Sequence, residues 1–236
     1  MRPALVLVLL AAGANPGVPA SKPSFANESL HYSINWPSGL SLGEGQLRAS
    51  KTAPSDTAAP KLDLEFEIEA AVPGFQVLDR YHSSASADFC SVEFDKKISH
   101  GRKKTEEKTS FDAATQTAKR ETSGGGKSEL KTSSCGKDAL AFLYFVRHEL
   151  AQGRMPASQP VFFGSAYQIH LEYTGTQSIH LGETSVDADR ITASLKGPSS
   201  DINFEVLFLK DATRTPALVR VPLAMGTFSM ELVREP

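Results

Sequence analysis

The glycine-rich stretch SGGGKSE at 123–129 has the residue types of a phosphate-binding loop, in which backbone N–H groups and a lysine surround a phosphate. That motif requires a glycine five residues before its Gly-Lys-Ser, and Glu121 occupies this position, where its carboxylate would repel phosphate. The preceding segment, TQTAKRET, is polar rather than typical of a buried strand. Three glycines between two polar segments instead predict the tip of a hairpin. The sequence therefore argues against nucleotide binding.

The segment QIHLEYTGTQSIHL, at 168–181, predicts a metal site if it turns back on itself. A three-residue loop at 174–176 would place His170 directly opposite His180. Glu172 would share their face, and two imidazoles with a carboxylate suit zinc or another transition metal. A two-residue loop would reverse the register and separate these groups. The alternative interpretation is a polar outer face with exposed histidines.

Acidic residues alternate with apolar ones in LDLEFEIEA, at 62–70. Two acids on one face of a strand lie about 7 Å apart, close to the separation found in glycoside hydrolases. Catalytic pairs usually come from different elements, with one acid in an apolar setting that raises its pKa. Regular alternation is more typical of a water-facing surface. The acids concerned are Asp63, Glu65, Glu67 and Glu69.

Other candidate groups lie on or near a segment of helical period. No Gly-x-Ser-x-Gly or Ser-x-x-Lys motif stands in a context that suits nucleophilic catalysis. Tyr144, Arg147 and Arg154 are candidates for contact with an anionic group of a ligand. The alternative places Tyr144 in the core and Arg147 on the exposed rim, with its aliphatic stem packed on apolar surface.

Cys90 and Cys135 are the two cysteines of the chain. An even pair in an oxidising compartment predicts a disulfide, which requires Cα atoms no more than about 7 Å apart. The alternative is a free or reactive thiol, with His82 or His100 as its partner base. A disulfide would tie the start of the helix to the sheet.

The first 20 residues predict a signal peptide. Arg2 precedes an apolar run at 4–14 that is too short for a stable membrane anchor, and small residues predict cleavage before Ser21 or before Asn15. We therefore expect a periplasmic or secreted protein with a single β-rich domain at 21–236 and no transmembrane segment in the mature chain.

The net charge of the protein is -2, which excludes an overall positive electrostatic field that would attract nucleic acid or anionic lipid. The basic cluster at 102–104 precedes two glutamates, which predicts a solvated hairpin end.

The period of the hydrophobic pattern predicts the strands and the helix that position these residues. Period-two alternation recurs along most of the chain, and short segments joined by Gly, Pro and Asp predict antiparallel strands. One segment, Lys137–Gln152, has helical period, with Ser133 or Ser134 as a cap and Gly153 as its stop. The fold class predicted is mostly β: a strongly curved antiparallel sheet or barrel of about a dozen strands, with one mid-chain α-helix packed against it.

Several phrases resemble a known bacterial family. They include ESLHYSINWPSGLSLGEG, VPGFQVLDRYHS, KDALAFLYFVRHELAQGRMP and VPLAMGTFSMELV, and the resemblance runs from about Glu28 to Arg234. The family is the domain of unknown function 3108. The resemblance implies an exported, β-rich envelope protein with no established activity, and it supplies no catalytic or binding residues to carry over.

The function that these observations favour is binding rather than catalysis. A curved β structure without a catalytic motif predicts a non-enzymatic module that holds an apolar or amphipathic ligand, such as a lipid, or a segment of an envelope protein partner. The alternatives are an envelope hydrolase or metal-dependent enzyme with an unrecognised site, and a purely structural interaction module. We expect neither a cofactor nor a nucleic-acid partner.

Overall fold

The computed structural model describes residues 24–52, 61–72, 74–198, 201–224 and 226–234. These residues form fourteen strands and one helix. The strands are β1 (Glu28–Asn35), β2 (Ser41–Thr52), β3 (Lys61–Val72), β4 (Phe75–Ser86), β5 (Ser91–His100), β6 (Lys103–Asp112), β7 (Thr117–Thr122), β8 (Lys127–Lys131), β9 (Gln159–Phe162), β10 (Ala166–Leu181), β11 (Thr184–Lys196), β12 (Asp201–Leu209), β13 (Pro216–Leu223) and β14 (Gly226–Val233), and the helix α1 (Ala139–Ala151) lies between β8 and β9.

All fourteen strands belong to one antiparallel sheet. Its order is β8-β7-β6-β5-β4-β3-β2-β1-β14-β13-β12-β11-β10-β9, so every pair of strands adjacent in sequence except β8 and β9 is hydrogen-bonded, and β1 also pairs with β14. The predicted fold class is therefore confirmed. The prediction left open whether the sheet closes, and the ladder remains open, with β8 and β9 as its edges.

The segment before the helix bridges two distant parts of this sheet. The Gly136 carbonyl accepts a hydrogen bond from the Ser91 N–H at 2.9 Å, and the Lys137 carbonyl accepts one from the Phe162 N–H at 2.9 Å. Because Ser91 begins β5 and Phe162 ends β9, the sheet must curl until these strands face each other. The Cys90–Cys135 disulfide, with Cα atoms 4.6 Å apart, fixes the same place and confirms the predicted pairing.

Asp138 caps the helix. Its carboxylate accepts from the Leu140 and Ala141 N–H groups at 2.9 and 3.0 Å, and from the hydroxyls of Ser83 and Ser91 at 2.6 and 2.5 Å. Burial raises the pKa of Asp138, and these four bonds oppose the shift. The expectation of a cap at position 133 or 134 is wrong, because a buried carboxylate nearer the helix satisfies its free N–H groups. The predicted stop is confirmed, since the residue at 153 has a φ of 70°.

The connections between strands divide the molecule into two ends. At one end, which we name the turn end, each odd-numbered strand leads into the next strand. The connections at this end are β1–β2, β3–β4, β5–β6, β7–β8, β9–β10, β11–β12 and β13–β14. Neighbouring tips touch there, since a Cβ atom on Gly226 would lie 2.7 Å from Pro37. The helix lies at the opposite end, the helix end, where Arg147 meets Glu28 at the start of β1.

The sheet buries apolar residues on both of its faces around β12. The concave face packs against the helix through Phe142, Val146, Ile191 and Phe208. The convex face of the same strand carries a second, smaller cluster, of which Leu207 is completely buried. A run of four apolar residues at 206–209, rather than alternation, is the sequence signal of a strand buried on both sides.

The hairpin predicted at 174–176 is wrong. β10 continues without a turn, and a bulge between Tyr173 and Gly175 shifts its pairing with β11. The bulge lets this 16-residue strand bend within the curved sheet. It also reverses the alternation along the strand, so that the other set of side chains faces the concave side after the bulge. The chain turns instead at Gly182, between β10 and β11.

The predicted signal peptide and its cleavage sites lie outside the described residues. Among the residues that are described, no helix is long and apolar enough to cross a membrane.

Candidate functional site

The concave face of the sheet and the helix enclose an apolar cavity of about 230 Å³. Strands from both halves of the sheet line it, and α1 forms its floor at the helix end. All twenty lining residues are apolar or aromatic. They are Tyr32, Leu47, Phe66, Ala139, Leu140, Phe142, Leu143, Val146, Val161, Ile169, Leu171, Ile191, Ala193, Leu195, Phe204, Val206, Phe208, Pro216, Val219 and Met230.

The cavity becomes more accessible towards the turn end. Along β12, Phe208 is 2% exposed and Val206 8%, whereas Phe204, which is nearest the turn end, is partly exposed. The same gradient runs along β11, where Ala193 is buried and Leu195 is partly exposed. The mouth of the cavity therefore lies at the turn end. Period-two alternation produces this lining, because it directs every second side chain of each strand inward.

A buried ion pair fixes the helix across the helix end. The Arg147 guanidinium donates to both carboxylate oxygens of Glu28 at 2.7 and 2.6 Å, and through Nε to the Thr213 carbonyl at 3.0 Å. It lies 4.6 and 4.8 Å from the ring centroids of Phe25 and Tyr144. Burial disfavours the charge of Arg147, but the bonds to Glu28 outweigh it and hold the pKa of the guanidinium above its ordinary value. This residue is therefore a structural anchor.

The three residues proposed to contact an anionic group do not form one site. Tyr144 is buried as its alternative reading predicted, and its hydroxyl donates to Glu28 at 3.0 Å. The placement of Arg147 on an exposed rim is wrong, since its side chain is 0% exposed. Arg154 lies beyond the helix, half-exposed, and pairs with Glu149 at 2.6 Å. No member of the trio lines the apolar cavity.

The metal-site residues lie far apart. His170 pairs across the ladder with Ser194, whereas His180 pairs with Ser185. Ten residues of extended strand separate the two histidines by about 30 Å. Glu172 remains beside the first histidine, and all three side chains are exposed. Within the described part of the chain, no group of three His, Cys, Asp or Glu residues is placed to hold a metal.

The alternating acids of β3 lie on the convex face, as the water-facing interpretation predicted. Glu65 and Glu67 pair with Arg48 at 3.0 and 3.1 Å, and Glu67 also pairs with Arg80 at 3.3 Å. Their apolar neighbour Leu64 is completely buried on the opposite face. The glycine stretch at 124–126 joins β7 to β8 as the predicted hairpin tip.

The concave face also carries two polar clusters that sequence reasoning missed. Asp79 is 7% exposed, lies 3.0 Å from Nε2 of the partly exposed His100, and accepts from the Tyr81 hydroxyl at 3.2 Å. Burial and the neighbouring carboxylate raise the pKa of Tyr81. His100 Nε2 lies within hydrogen-bonding distance of both carboxylate oxygens of Asp79, at 3.0 and 3.2 Å.

The second cluster contains Lys96, Glu107 and Arg120, on β5, β6 and β7. The carboxylate lies 3.2 Å from the lysine and 2.9 Å from the arginine, and its side chain is 9% exposed. The hydrogen bond from Arg120 is the main cause that lowers the pKa of Glu107. The sequence signal of this cluster is a set of opposite charges at inward positions of adjacent strands. It can be recognised only once the register between the strands is known.

Comparison with known proteins supports the fold. The family model described as "Protein of unknown function (DUF3108)" matches residues 31–233. A crystal structure of a beta-barrel-like protein of the domain of unknown function DUF1849, from Brucella abortus, is similar with a TM-score of 0.59 at 9% identity, covering 89% of this chain and 97% of that chain. No curated protein sequence matches the chain. The family match spans most of the sequence and confirms the resemblance, so the chain belongs to the DUF3108 family.

Proposed function

We propose that this protein binds a single hydrocarbon chain, as part of an apolar or amphipathic ligand, in the cavity between the sheet and the helix. The observation that supports the proposal is a cavity of about 230 Å³ whose lining side chains are all apolar or aromatic. Pockets for small molecules usually span about 300–1,000 Å³, so this one suits a slender ligand rather than a bulky one. Burial of each CH₂ group is worth about 0.8 kcal/mol, which gives a chain of moderate length useful affinity.

Binding rather than hydrolysis is favoured by the position of the polar groups. The Asp79–His100 pair lies on the concave face, where it is suited to contact the polar end of a ligand near the mouth. An apolar cavity with a polar pair on the same face of the sheet is complementary to an amphipathic molecule.

Dodecanoic acid is a direct probe of the cavity. We expect it to bind the wild-type protein in isothermal titration, with a negative heat-capacity change because apolar surface is buried. Ala193→Phe would place a ring in the cavity and weaken binding at least about tenfold, which corresponds to about 1.4 kcal/mol. Thr192→Phe is the matched control, because the adjacent residue on β11 faces the convex side.

The comparison of these two variants decides the proposal. Both variants must unfold cooperatively in thermal denaturation, so that a loss of binding is not a loss of structure. Equal binding by the wild type and Ala193→Phe would contradict the proposal, as would equal weakening by Thr192→Phe. Organic extraction of the purified wild-type protein, followed by mass spectrometry, would then identify the natural ligand.

We also propose that the protein is located in the periplasm or outside the cell. The apolar segment at 4–14 and the cysteine pair support export, since disulfides persist in oxidising compartments. Intact-mass measurement of the periplasmic fraction should give a chain that begins near Ser21 or near Asn15. A full-length chain confined to the cytoplasm would contradict this location.

A further inference from the structure

Exposed apolar side chains concentrate at the turn end, around the mouth of the cavity. Nine large hydrophobic residues of the described chain are exposed, and five of them lie at this end, including the most exposed of the nine, Leu40 at 68%. The five are Leu40, Phe75, Leu78, Ile202 and Leu223, of which Leu78 lies opposite Glu69 and therefore faces the convex side. Apolar side chains that cluster rather than scatter on a surface mark a site of interaction.

The sheet order brings these residues to successive tips. Going across the sheet, the connections β3–β4, β1–β2, β13–β14 and β11–β12 are consecutive neighbours, and each carries at least one of the five side chains. Leu223 at the end of β13 is 53% exposed, and Phe75 at the start of β4 is 46% exposed. Four adjacent tips therefore present an apolar edge to the surroundings.

The next tip along the sheet is basic. Arg102, Lys103 and Lys104 at the β5–β6 connection are exposed, and none of them has an ion-pair partner within the described residues. The Gly101 N–H donates to the Gln76 carbonyl at 2.9 Å, which holds this basic tip directly beside the apolar β3–β4 tip. By contrast, Lys108 farther along β6 pairs with a glutamate at 2.6 Å.

We propose that the turn end docks on the surface of a bilayer that contains anionic phospholipid. This inference rests on the proposed function, because docking there would bring the mouth of the cavity to the source of its hydrocarbon ligand. Apolar tips enter the boundary between headgroups and acyl chains, while cations contact the anionic headgroups. The net charge of -2 supplies no long-range attraction, and Glu44 and Glu69 face outward on the convex side near this end. Binding therefore depends on local contact at the tips.

Flotation with lipid vesicles tests the charged part of the surface. We expect the wild-type protein to bind vesicles of phosphatidylcholine with phosphatidylglycerol, to bind pure phosphatidylcholine weakly, and to be released by salt. Replacing Arg102, Lys103 and Lys104 with Gln should reduce partitioning about a hundredfold, since each cation at an anionic surface contributes about a factor of five. The matched control replaces three exposed lysines at the helix end and should leave partitioning unchanged. These lysines are Lys51, Lys61 and Lys131.

A second pair of variants tests the apolar part. Leu223→Ser should weaken binding to the same vesicles, whereas Val233→Ser should not. Val233 is 48% exposed and lies at the helix end of the neighbouring strand, so the two substitutions remove similar exposed apolar surface from opposite ends. Both sites are exposed, and neither change should alter the thermal unfolding of the protein.

The experiments distinguish a failure of the docking proposal from a failure of the proposed ligand binding in the cavity. Absence of vesicle binding, equal binding to neutral and anionic vesicles, or equal losses in the turn-end and helix-end variants would each overturn the docking proposal. Dodecanoic acid binding measured without vesicles should be unchanged in all these variants, because none of them lines the cavity. Vesicle binding that requires the turn end would support docking even if dodecanoic acid fails to bind, in which case the proposed ligand is wrong.

Discussion

Removal of Glu28 should destabilise the protein far more than removal of an exposed partner of the same kind. Arg147 is completely buried and directs two N–H groups to Glu28, with a third hydrogen bond to the Thr213 carbonyl. In Glu28→Gln the guanidinium keeps its charge but loses the carboxylate that compensates it. Breaking a buried pair by removing one partner costs about 3–5 kcal/mol. Because the amide can still accept one hydrogen bond, we expect a loss of about 3 kcal/mol.

The helix supplies its own control. Arg154 and Glu149 also form a two-point pair, at 2.6 and 2.8 Å, but this arginine is 53% exposed. Water solvates it when the partner is lost, so Glu149→Gln should cost less than about 1 kcal/mol. Urea unfolding followed by circular dichroism gives both free energies of unfolding by linear extrapolation.

A third variant separates the unpaired charge from the lost contacts. Glu28→Gln combined with Arg147→Met replaces the pair by an amide and an apolar chain, and it should recover much of the stability lost in the single variant. The reasoning is refuted if Glu28→Gln costs less than about 1 kcal/mol, or if Glu149→Gln costs as much. No recovery in the double variant would show that the contacts of Arg147, not its buried charge, determine the loss.

Two further predictions concern the cross-link and the acid range. Replacing Cys90 and Cys135 with Ser should lower the free energy of unfolding by about 4 kcal/mol, because the disulfide closes a long loop with a separation of 45 residues; unchanged urea midpoints would contradict this. Glu107 has a lowered pKa when folded, so its contribution to stability is fully present above its unfolded pKa of about 4.3 and is lost as pH falls through the folded value. The stability difference between the wild type and Glu107→Gln should therefore be constant near neutral pH and shrink below about pH 4.3, and a difference that does not change with pH would show that the carboxylate charge is not responsible.

Local sequence patterns predicted the elements well and the sites poorly. Alternation such as that around Leu64 depends only on the period of a strand, and the helix follows from a change of period. The disulfide was also predictable, because two cysteines allow a single pairing. The prediction that His170 and His180 lie opposite each other was wrong because it depended on a turn at Gly175, where the chain instead forms a bulge. A bulge and a hairpin use similar residues, and the pairing with β11 decides between them.

By itself, the sequence determined the class of the fold, the helix, the pairing of the cysteines and the family, because each depends on short-range patterns or on a unique combination. Only the tertiary structure determined that Arg147 is buried and paired. Its ionic partner is 119 residues away, so no local pattern distinguishes a buried anchor from an exposed rim. The cavity likewise exists only because the sheet curls over the helix and brings strands from both halves of the chain to one face. The chemistry of a site depends on which distant residues share a space, and long-range packing determines that.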